Sequence, residues 1–186
     1  MSVRTGQMLA TLPSDERAER LGRAAFDEIV LRYQAPLARF LYGIVHDPEQ
    51  AADLCQETFL SAFRAAPKLT GELNLDAWLY TIALNHARGY LRRQRILRWV
   101  PFVNLLHDRP APGADLQTRA AQRDELREIL RQLSTEQRAC LLLHADGFRY
   151  AEIAQVLGCS VGAVKARVFR ARERCLDLYG GETNDD

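Results

Sequence analysis

The sequence predicts an all-α protein in which a proline-rich linker joins two small helical domains, the second of them a helix-turn-helix. Apolar residues recur at spacings of three and four along most of the chain, which is the periodicity of amphipathic helices. No segment shows the strict alternation of a half-buried strand. Residues 99–118 contain Pro101, Pro110, Pro112 and Gly113, which one regular element cannot accommodate, so they are assigned to the linker.

The first domain is predicted to contain three helices. Pro36 falls inside the first of them and is expected to kink or break it. Asp47 and Pro48 suit an N-cap and a first helical position, so a second helix should run from there to about Ala66. A third should run from Ala77 to about Arg98. The apolar stripe of the first helix consists of Phe26, Ile29, Tyr33, Leu37, Phe40, Leu41 and Ile44.

The second domain begins with a new helical pattern from Arg119, and Ser134 should cap the following helix through Leu143. Next comes a short helix, and Gly158 suits the left-handed position after it. Ser160 can cap the last helix. The apolar positions of the new pattern are Leu126, Ile129, Leu130 and Leu133, and those of the short helix are Tyr150, Ile153, Ala154 and Leu157.

The last helix has one apolar and one cationic side. Its predicted buried residues are Val161, Val164, Val168, Ala171 and Cys175, and its outward residues are Gly162, Lys165, Ala166, Phe169 and Arg170. Arg167, Arg172 and Arg174 flank the outward face. A helix in the major groove needs small residues for close approach, long donors for base edges and cations for phosphates. The alternative is an amphipathic surface helix with a solvated basic face.

Composition restricts the function classes. The formal charge of the 186 residues is +1, but residues 77–107 contain no acid and five arginines, so the charge is unevenly distributed. The chain has no apolar run long enough for a membrane span and no signal-peptide layout, which predicts a cytoplasmic protein without membrane insertion. The histidines His46, His86, His107 and His144 lack metal-ligand spacing, and no nucleophile motif or phosphate loop is present, so neither an enzyme nor a cofactor is expected.

The four cysteines show no CxxC spacing. They are expected to be buried small hydrophobic residues, with a redox or zinc role as the alternative. They are Cys55, Cys140, Cys159 and Cys175.

The second helix also has two contrasting faces. Leu60 lies amid charged residues on its outward face, a composition typical of a docking surface, although a solvated polar face is the alternative. The third helix ends in Arg88, Arg92, Arg93 and Arg95 without an acid and should hold phosphates. The loop 67–76 before it suits the capture of an unstacked base, or is a plain connector. The inward residues of the second helix are Ala51, Cys55, Thr58, Phe59, Ala62 and Ala66, and the outward ones are Asp53, Gln56, Glu57, Leu60 and Arg64.

These elements, in this order, resemble the extracytoplasmic-function sigma factors of bacterial RNA polymerase. Residues 53–59 are similar to the family's DLxQExF motif, and residues 71–93 to its melting and minus-ten segment. Residues 147–154 and 162–172 resemble its minus-thirty-five reader. Ala163 and Ala166 depart from the family, which often has Thr and Ser there.

The resemblance implies domains at residues 23–98 (region 2) and 119–179 (region 4), after an arm at 1–22 and before an acidic tail at 180–186. It implies a transcription initiation factor that binds core RNA polymerase at the beta-prime clamp helices and the beta flap, recognises promoter DNA and aids its melting. An anti-sigma factor is implied as a further partner. An autonomous helix-turn-helix repressor or activator is the alternative, but nothing after Leu178 suggests a dimerisation helix, so a monomer is expected.

The side-chain pattern and the resemblance together assign site residues to three surfaces. Core polymerase binding falls to Asp53, Gln56, Glu57 and Leu60. Minus-ten DNA binding falls to Gly71, Glu72, Asn74, Trp78, Asn85, Arg88, Arg92 and Arg93. Minus-thirty-five DNA binding falls to Ser160, Gly162, Lys165, Ala166, Arg167, Phe169, Arg170 and Arg174.

Overall fold

The computed structural model describes residues 23–66, 73–98 and 128–181. These residues form six helices and a helical stretch over 128–132, with no strand among them, so the predicted all-α class is confirmed. The predicted arm, the residues 67–72, the linker, the start of the second domain and the last residues of the tail lie outside this part. The helices are α1 (Arg23–Val45), α2 (Pro48–Ala65), α3 (Leu75–Arg98), α4 (Thr135–Ala145), α5 (Tyr150–Leu157) and α6 (Val161–Gly181).

Helix α1 continues through Pro36, so of the predicted kink or break, the break does not occur. Proline removes one backbone hydrogen bond from a helix interior. Tyr33 and Leu37, on either side of Pro36, are both buried in the core. Packing of these neighbours therefore outweighs the lost hydrogen bond.

Side-chain caps set the starts of α2, α3 and α4. The Asp47 carboxylate accepts a hydrogen bond from the Gln50 amide at 3.0 Å, and Pro48 is the first residue of α2, both as predicted. The Asn74 side chain accepts from the Ala77 amide at 3.0 Å and thereby caps α3. Ser134 and Gln137 form a reciprocal capping box at α4. These bonds satisfy amide groups that a helix start otherwise leaves without partners.

Helices α1–α3 and helices α4–α6 form two groups that share one continuous apolar core. Between them, the rings of Tyr80 on α3 and Phe148 before α5 meet edge to face, with centroids 4.9 Å apart. Gly43 on α1 lies against Leu142 on α4, where an added Cβ would come within 2.7 Å of a Leu142 methyl carbon. Glycine at this position therefore permits a close approach of α1 and α4.

Arg138 on α4 is 8% exposed and lies at the boundary between the two groups. Its Nη1 donates to the Ile44 carbonyl at 2.6 Å, and its Nη2 donates to the Leu133 carbonyl at 3.0 Å. Burial lowers the pKa of the Arg138 guanidinium. The side chain thus ties a backbone carbonyl at the end of α1 to the segment that precedes α4.

Candidate nucleic-acid interface

The turn between α5 and α6 has the predicted geometry. Gly158 takes a left-handed conformation with φ of 66°, which glycine adopts without strain. The Ser160 hydroxyl accepts a hydrogen bond from the Ala163 amide at 3.2 Å and caps α6. Ile153, Ala154 and Leu157 of α5 are buried, as expected for its apolar stripe. The second helix is therefore held at a fixed angle to the first.

The outward face of α6 is exposed at all five predicted positions, Gly162, Lys165, Ala166, Phe169 and Arg170. The Phe169 side chain is 62% exposed, which is unusual for an aromatic ring without a partner surface. On the opposite side, Val164, Val168 and Ala171 are buried as predicted. The prediction for Val161 is wrong, because it is 40% exposed in the first turn, and Cys175 is only partly buried.

The side chains of Arg167 and Arg174, predicted to flank this outward face, point in different directions. Arg167 turns inward, and its Nη1 lies 3.0 Å from the Cys159 sulfur and 4.0 Å from a Glu136 oxygen. Arg174 donates from Nη2 to Gln132 at 3.3 Å at the other edge. The outward face itself carries Lys165 and Arg170 as its cations.

The outward face of α2 exposes Asp53, Gln56, Glu57, Leu60 and Arg64, as predicted. Leu60 is 55% exposed among these polar groups. Phe63, which the sequence analysis did not identify, is 47% exposed beside them. This mixture of acids and exposed apolar side chains is suited to a protein partner.

The α2 face is linked to α3 through His86. Its Nδ1 lies 3.2 Å from a Glu57 carboxylate oxygen, and its Nε2 lies 2.9 Å from the Ser61 hydroxyl. Both helices therefore contribute to the position of the Glu57 side chain.

The predicted minus-ten residues fall into several structural settings. Gly71 and Glu72 lie outside the described residues. Asn74 is the N-cap of α3, Trp78 packs half-buried against the core, and Asn85 is exposed. The start of α3 is fixed further by a hydrogen bond from the Tyr33 hydroxyl to the Asp76 carboxylate. Burial, followed by this bond, raises the pKa of Tyr33.

The basic end of α3 is only partly open. Arg92 and Arg93 are exposed. Arg88 instead forms a fork with Glu136 of α4, with its Nε 3.0 Å from one carboxylate oxygen and its Nη2 2.8 Å from the other. Its Nη1 also donates to Asn85 at 3.3 Å. One predicted DNA contact therefore lies in the boundary between the two groups of helices.

The buried Cys140 thiol and the more exposed Asp146 carboxyl both have shifted pKa values. Burial raises the pKa of the Cys140 thiol to about 11, which leaves it protonated near neutral pH. Burial also raises the pKa of Asp146, against the opposing charge of Arg39. Within the described ranges, no cluster of three or more His, Cys, Asp or Glu side chains has the arrangement of a metal site. No helix in these ranges has the length and apolar character of a membrane span.

Two protein-family models match the chain. Residues 29–96 match the model for sigma-70 region 2, and residues 123–175 match the model for sigma-70 region 4. The first match covers α2 and its exposed face, and the second covers the helix-turn-helix.

Full-length relatives and solved structures show the same similarity. The chain is 34% identical over 171 residues to the RNA polymerase sigma-H factor of Pseudomonas aeruginosa, covering 85% of this chain and 88% of that protein. It is 29% identical over 182 residues to the ECF RNA polymerase sigma-E factor of Escherichia coli K12, with coverages of 85% and 88%.

Its fold is similar to CnrH, solved in complex with the cytosolic domain of CnrY, with a TM-score of 0.69, 26% identity and coverages of 90% and 95%. It is also similar to the sigma factor RpoE of Bartonella quintana, solved in complex with the anti-sigma factor NepR, with a TM-score of 0.66, 28% identity and coverages of 87% and 98%. Regions 2 and 4 occur in order along this chain, and its relatives are sigma factors over most of their length. The chain belongs to the extracytoplasmic-function group of the sigma-70 family of RNA polymerase sigma factors.

Proposed function

We propose that this sigma factor binds core RNA polymerase, directs it to specific promoters and aids the melting of promoter DNA. The observation that carries the proposal is the pair of exposed faces on one chain. One is the acidic and apolar face of α2, and the other is the cationic face of α6. A protein that recruits an enzyme to DNA needs both kinds of surface.

The α2 face is the proposed docking site for the beta-prime clamp helices. Asp53, Gln56 and Glu57 supply polar contacts around Leu60, which is 55% exposed. Phe63, 47% exposed, extends the apolar part of the surface. Apolar side chains ringed by polar groups are the usual composition of an energetically important contact between proteins.

The α6 face is the proposed reader of the minus-thirty-five element. Gly162 and Ala166 are small enough for close approach to the groove, while Lys165 and Arg170 reach outward as donors. Arginine can donate two hydrogen bonds to guanine in the major groove. Phe169 supplies an apolar contact of the kind that thymine methyl groups accept. Ser160 at the start of the helix and Arg174 at its edge suit phosphate contacts.

The remaining parts of the proposal follow the family. Region 2 is placed at residues 23–98 and region 4 at 119–179, with a second polymerase contact to the beta flap. The loop before α3, with Arg92 and Arg93 after it, holds the melted minus-ten strand. The protein has no catalytic activity of its own, acts in the cytoplasm as a monomer and is held inactive by an anti-sigma factor, as its relative RpoE is solved with NepR.

The test is transcription with purified core polymerase on a defined promoter panel, with permanganate mapping of unpaired thymines. The sigma factor should convert weak binding into strand opening only when polymerase is present. The chain alone offers few phosphate contacts, so its own affinity for duplex should remain near non-specific values of about 10⁻⁴ to 10⁻⁶ M. Tight binding of a palindromic duplex by a dimer without polymerase would instead establish the repressor alternative.

A further inference from the structure

One carboxylate contacts arginines from both predicted DNA-binding surfaces. Glu136, in the first turn of α4, accepts two hydrogen bonds from Arg88 of α3 at 3.0 and 2.8 Å. The Nη1 of Arg167, on α6, lies 4.0 Å from the same carboxylate. Arg88 is assigned to the minus-ten strand and Arg167 to the minus-thirty-five element.

The contact between Arg88 and Glu136 is well shielded for an ion pair. The two side chains are 32% and 34% exposed, so solvent and salt screen their attraction less than on an open surface. Residues 77–98 of α3 contain no acid, so Glu136 reaches Arg88 from another part of the chain. In this ion pair the Arg88 guanidinium donates two N–H groups to the Glu136 carboxylate at once.

The surrounding contacts hold Glu136 in place. Arg138, on the same helix, donates to the Ile44 carbonyl at the end of α1. Leu142 lies against Gly43, and the ring of Phe148 meets Tyr80. The ion pair is therefore part of a packed boundary, which fixes the carboxylate opposite α3.

We propose that Glu136 takes the place of a DNA phosphate in the free sigma factor and competes with the promoter for Arg88 and Arg167. A guanidinium fork binds a carboxylate or a phosphate with the same donors, so Arg88 cannot hold both at once. Binding of the melted strand then requires the loss of the contact with Glu136. The proposal rests on the proposed function, because the DNA contact of Arg88 belongs to that function.

The test uses the full chain without polymerase and a fluorescent thymidine 20-mer as the probe, titrated at several salt concentrations. E136Q removes the charge with little change of shape and should bind the oligonucleotide about 5- to 20-fold more tightly. The slope of log affinity against log salt should steepen by about 0.7 for each additional phosphate that the protein neutralises.

The matched control is E128Q. It removes the same charge from an exposed side chain whose ion pair with Arg131, at 3.6 Å, lies within one helical turn. E128Q should leave the slope unchanged. Equal affinities and slopes for E136Q and E128Q would overturn the proposal.

A second set of variants distinguishes release of the arginines from a change in fold. Placing R88Q together with E136Q should remove most of the increase in affinity, whereas an increase that survives in R88Q and R167Q backgrounds would overturn the proposal. E136D keeps the charge but shortens the side chain, and it should increase the affinity for the oligonucleotide by an intermediate amount. It takes the place of E136Q if circular dichroism shows that E136Q is unstable.

Transcription by the wild-type protein with core polymerase is measured in parallel. The absence of transcription would contradict the proposed function, whatever the oligonucleotide affinities are. Intact transcription with no difference between E136Q and E128Q would remove the role of Glu136 alone.

Discussion

Two arginines assigned to DNA have opposite surroundings in this sigma factor. Arg170 lies on the exposed face of α6, and its Nε donates to the Ala166 carbonyl of its own helix, at 3.3 Å. Arg88 is paired with Glu136 across the boundary between the two groups of helices. The proposed minus-thirty-five face is thus open at Arg170, although Arg167 beside it turns toward Glu136, while Arg88 of the proposed minus-ten surface is covered. This difference matches the order of events at a promoter, because duplex is met before it is opened.

The largest expected effect concerns the open face of α2. The double variant D53K/E57K should weaken co-purification with core polymerase by at least about 100-fold, because like charges placed across an interface cost several kcal/mol. Helix content by circular dichroism should not change, since both side chains are exposed. Leu60→Ala should weaken docking less.

The control is D27K/E28K, which makes the same charge change at two exposed positions of α1. It should retain polymerase binding. Equal losses in both double variants would mean that overall charge, and not the α2 face, governs docking.

The second effect concerns the closed boundary. Arg138→Met should lower the free energy of unfolding by about 2 to 4 kcal/mol, because it leaves the buried carbonyls of Ile44 and Leu133 without their charged donor. Urea denaturation measures the loss. Arg131→Met, at an exposed position, should change stability by less than about 0.5 kcal/mol. A similar small change for Arg138→Met would show that the boundary does not depend on this arginine.

Much of the fold was predictable because its signals are local. Asp47 and Ser134 cap helices through bonds that span three residues, and the outward faces of α2 and α6 follow from helical periodicity alone. Periodicity sets the direction of a Cβ atom but not the path of a long side chain. The inward turn of Arg167 therefore could not be predicted, and neither could the partial exposure of Val161, which depends on how neighbouring elements cover the first turn.

The boundary between the two groups of helices left no sequence signal. Arg88 and Glu136 are separated by 48 positions, and Arg138 contacts a carbonyl 94 positions away. Neither partner can be read from spacing, because these contacts exist only once the helices have packed. A buried arginine is also rare enough that an amphipathic pattern gives no reason to expect one. Asn74 differs from these residues, because its bond is local. It is assigned to DNA, whereas its side chain caps α3 by accepting from the Ala77 amide.

The third effect separates two arginines of α6. Arg170→Ala should cost about 1 to 3 kcal/mol at one base pair of the minus-thirty-five element and relax discrimination there. Arg174→Ala should weaken all promoters alike, because its side chain lies at the edge beside Gln132. Binding of the polymerase complex to single-base promoter variants measures both. A uniform loss from Arg170→Ala would place this residue on phosphate instead of a base.

The smallest expected effect concerns Asp146, at the end of α4. Its folded pKa is raised above the usual 3.8, so the folded state disfavours the ionised carboxylate relative to the unfolded chain. The cost is absent below about pH 4 and develops as the pH rises through the folded pKa. Asp146→Asn should therefore stabilise the protein at pH 7 by less than about 0.5 kcal/mol, because solvent screens this exposed side chain.

Urea denaturation of both proteins at pH 7 and pH 4 measures the difference, which should shrink at the lower pH. Arg39 is the charge that opposes the shift. If the variant were instead less stable at pH 7 and matched the wild type at pH 4, attraction to Arg39 would outweigh the cost of burial. Asp146, directly after α4, would then join Arg138 of α4 as a charged group that stabilises the boundary between the two groups of helices.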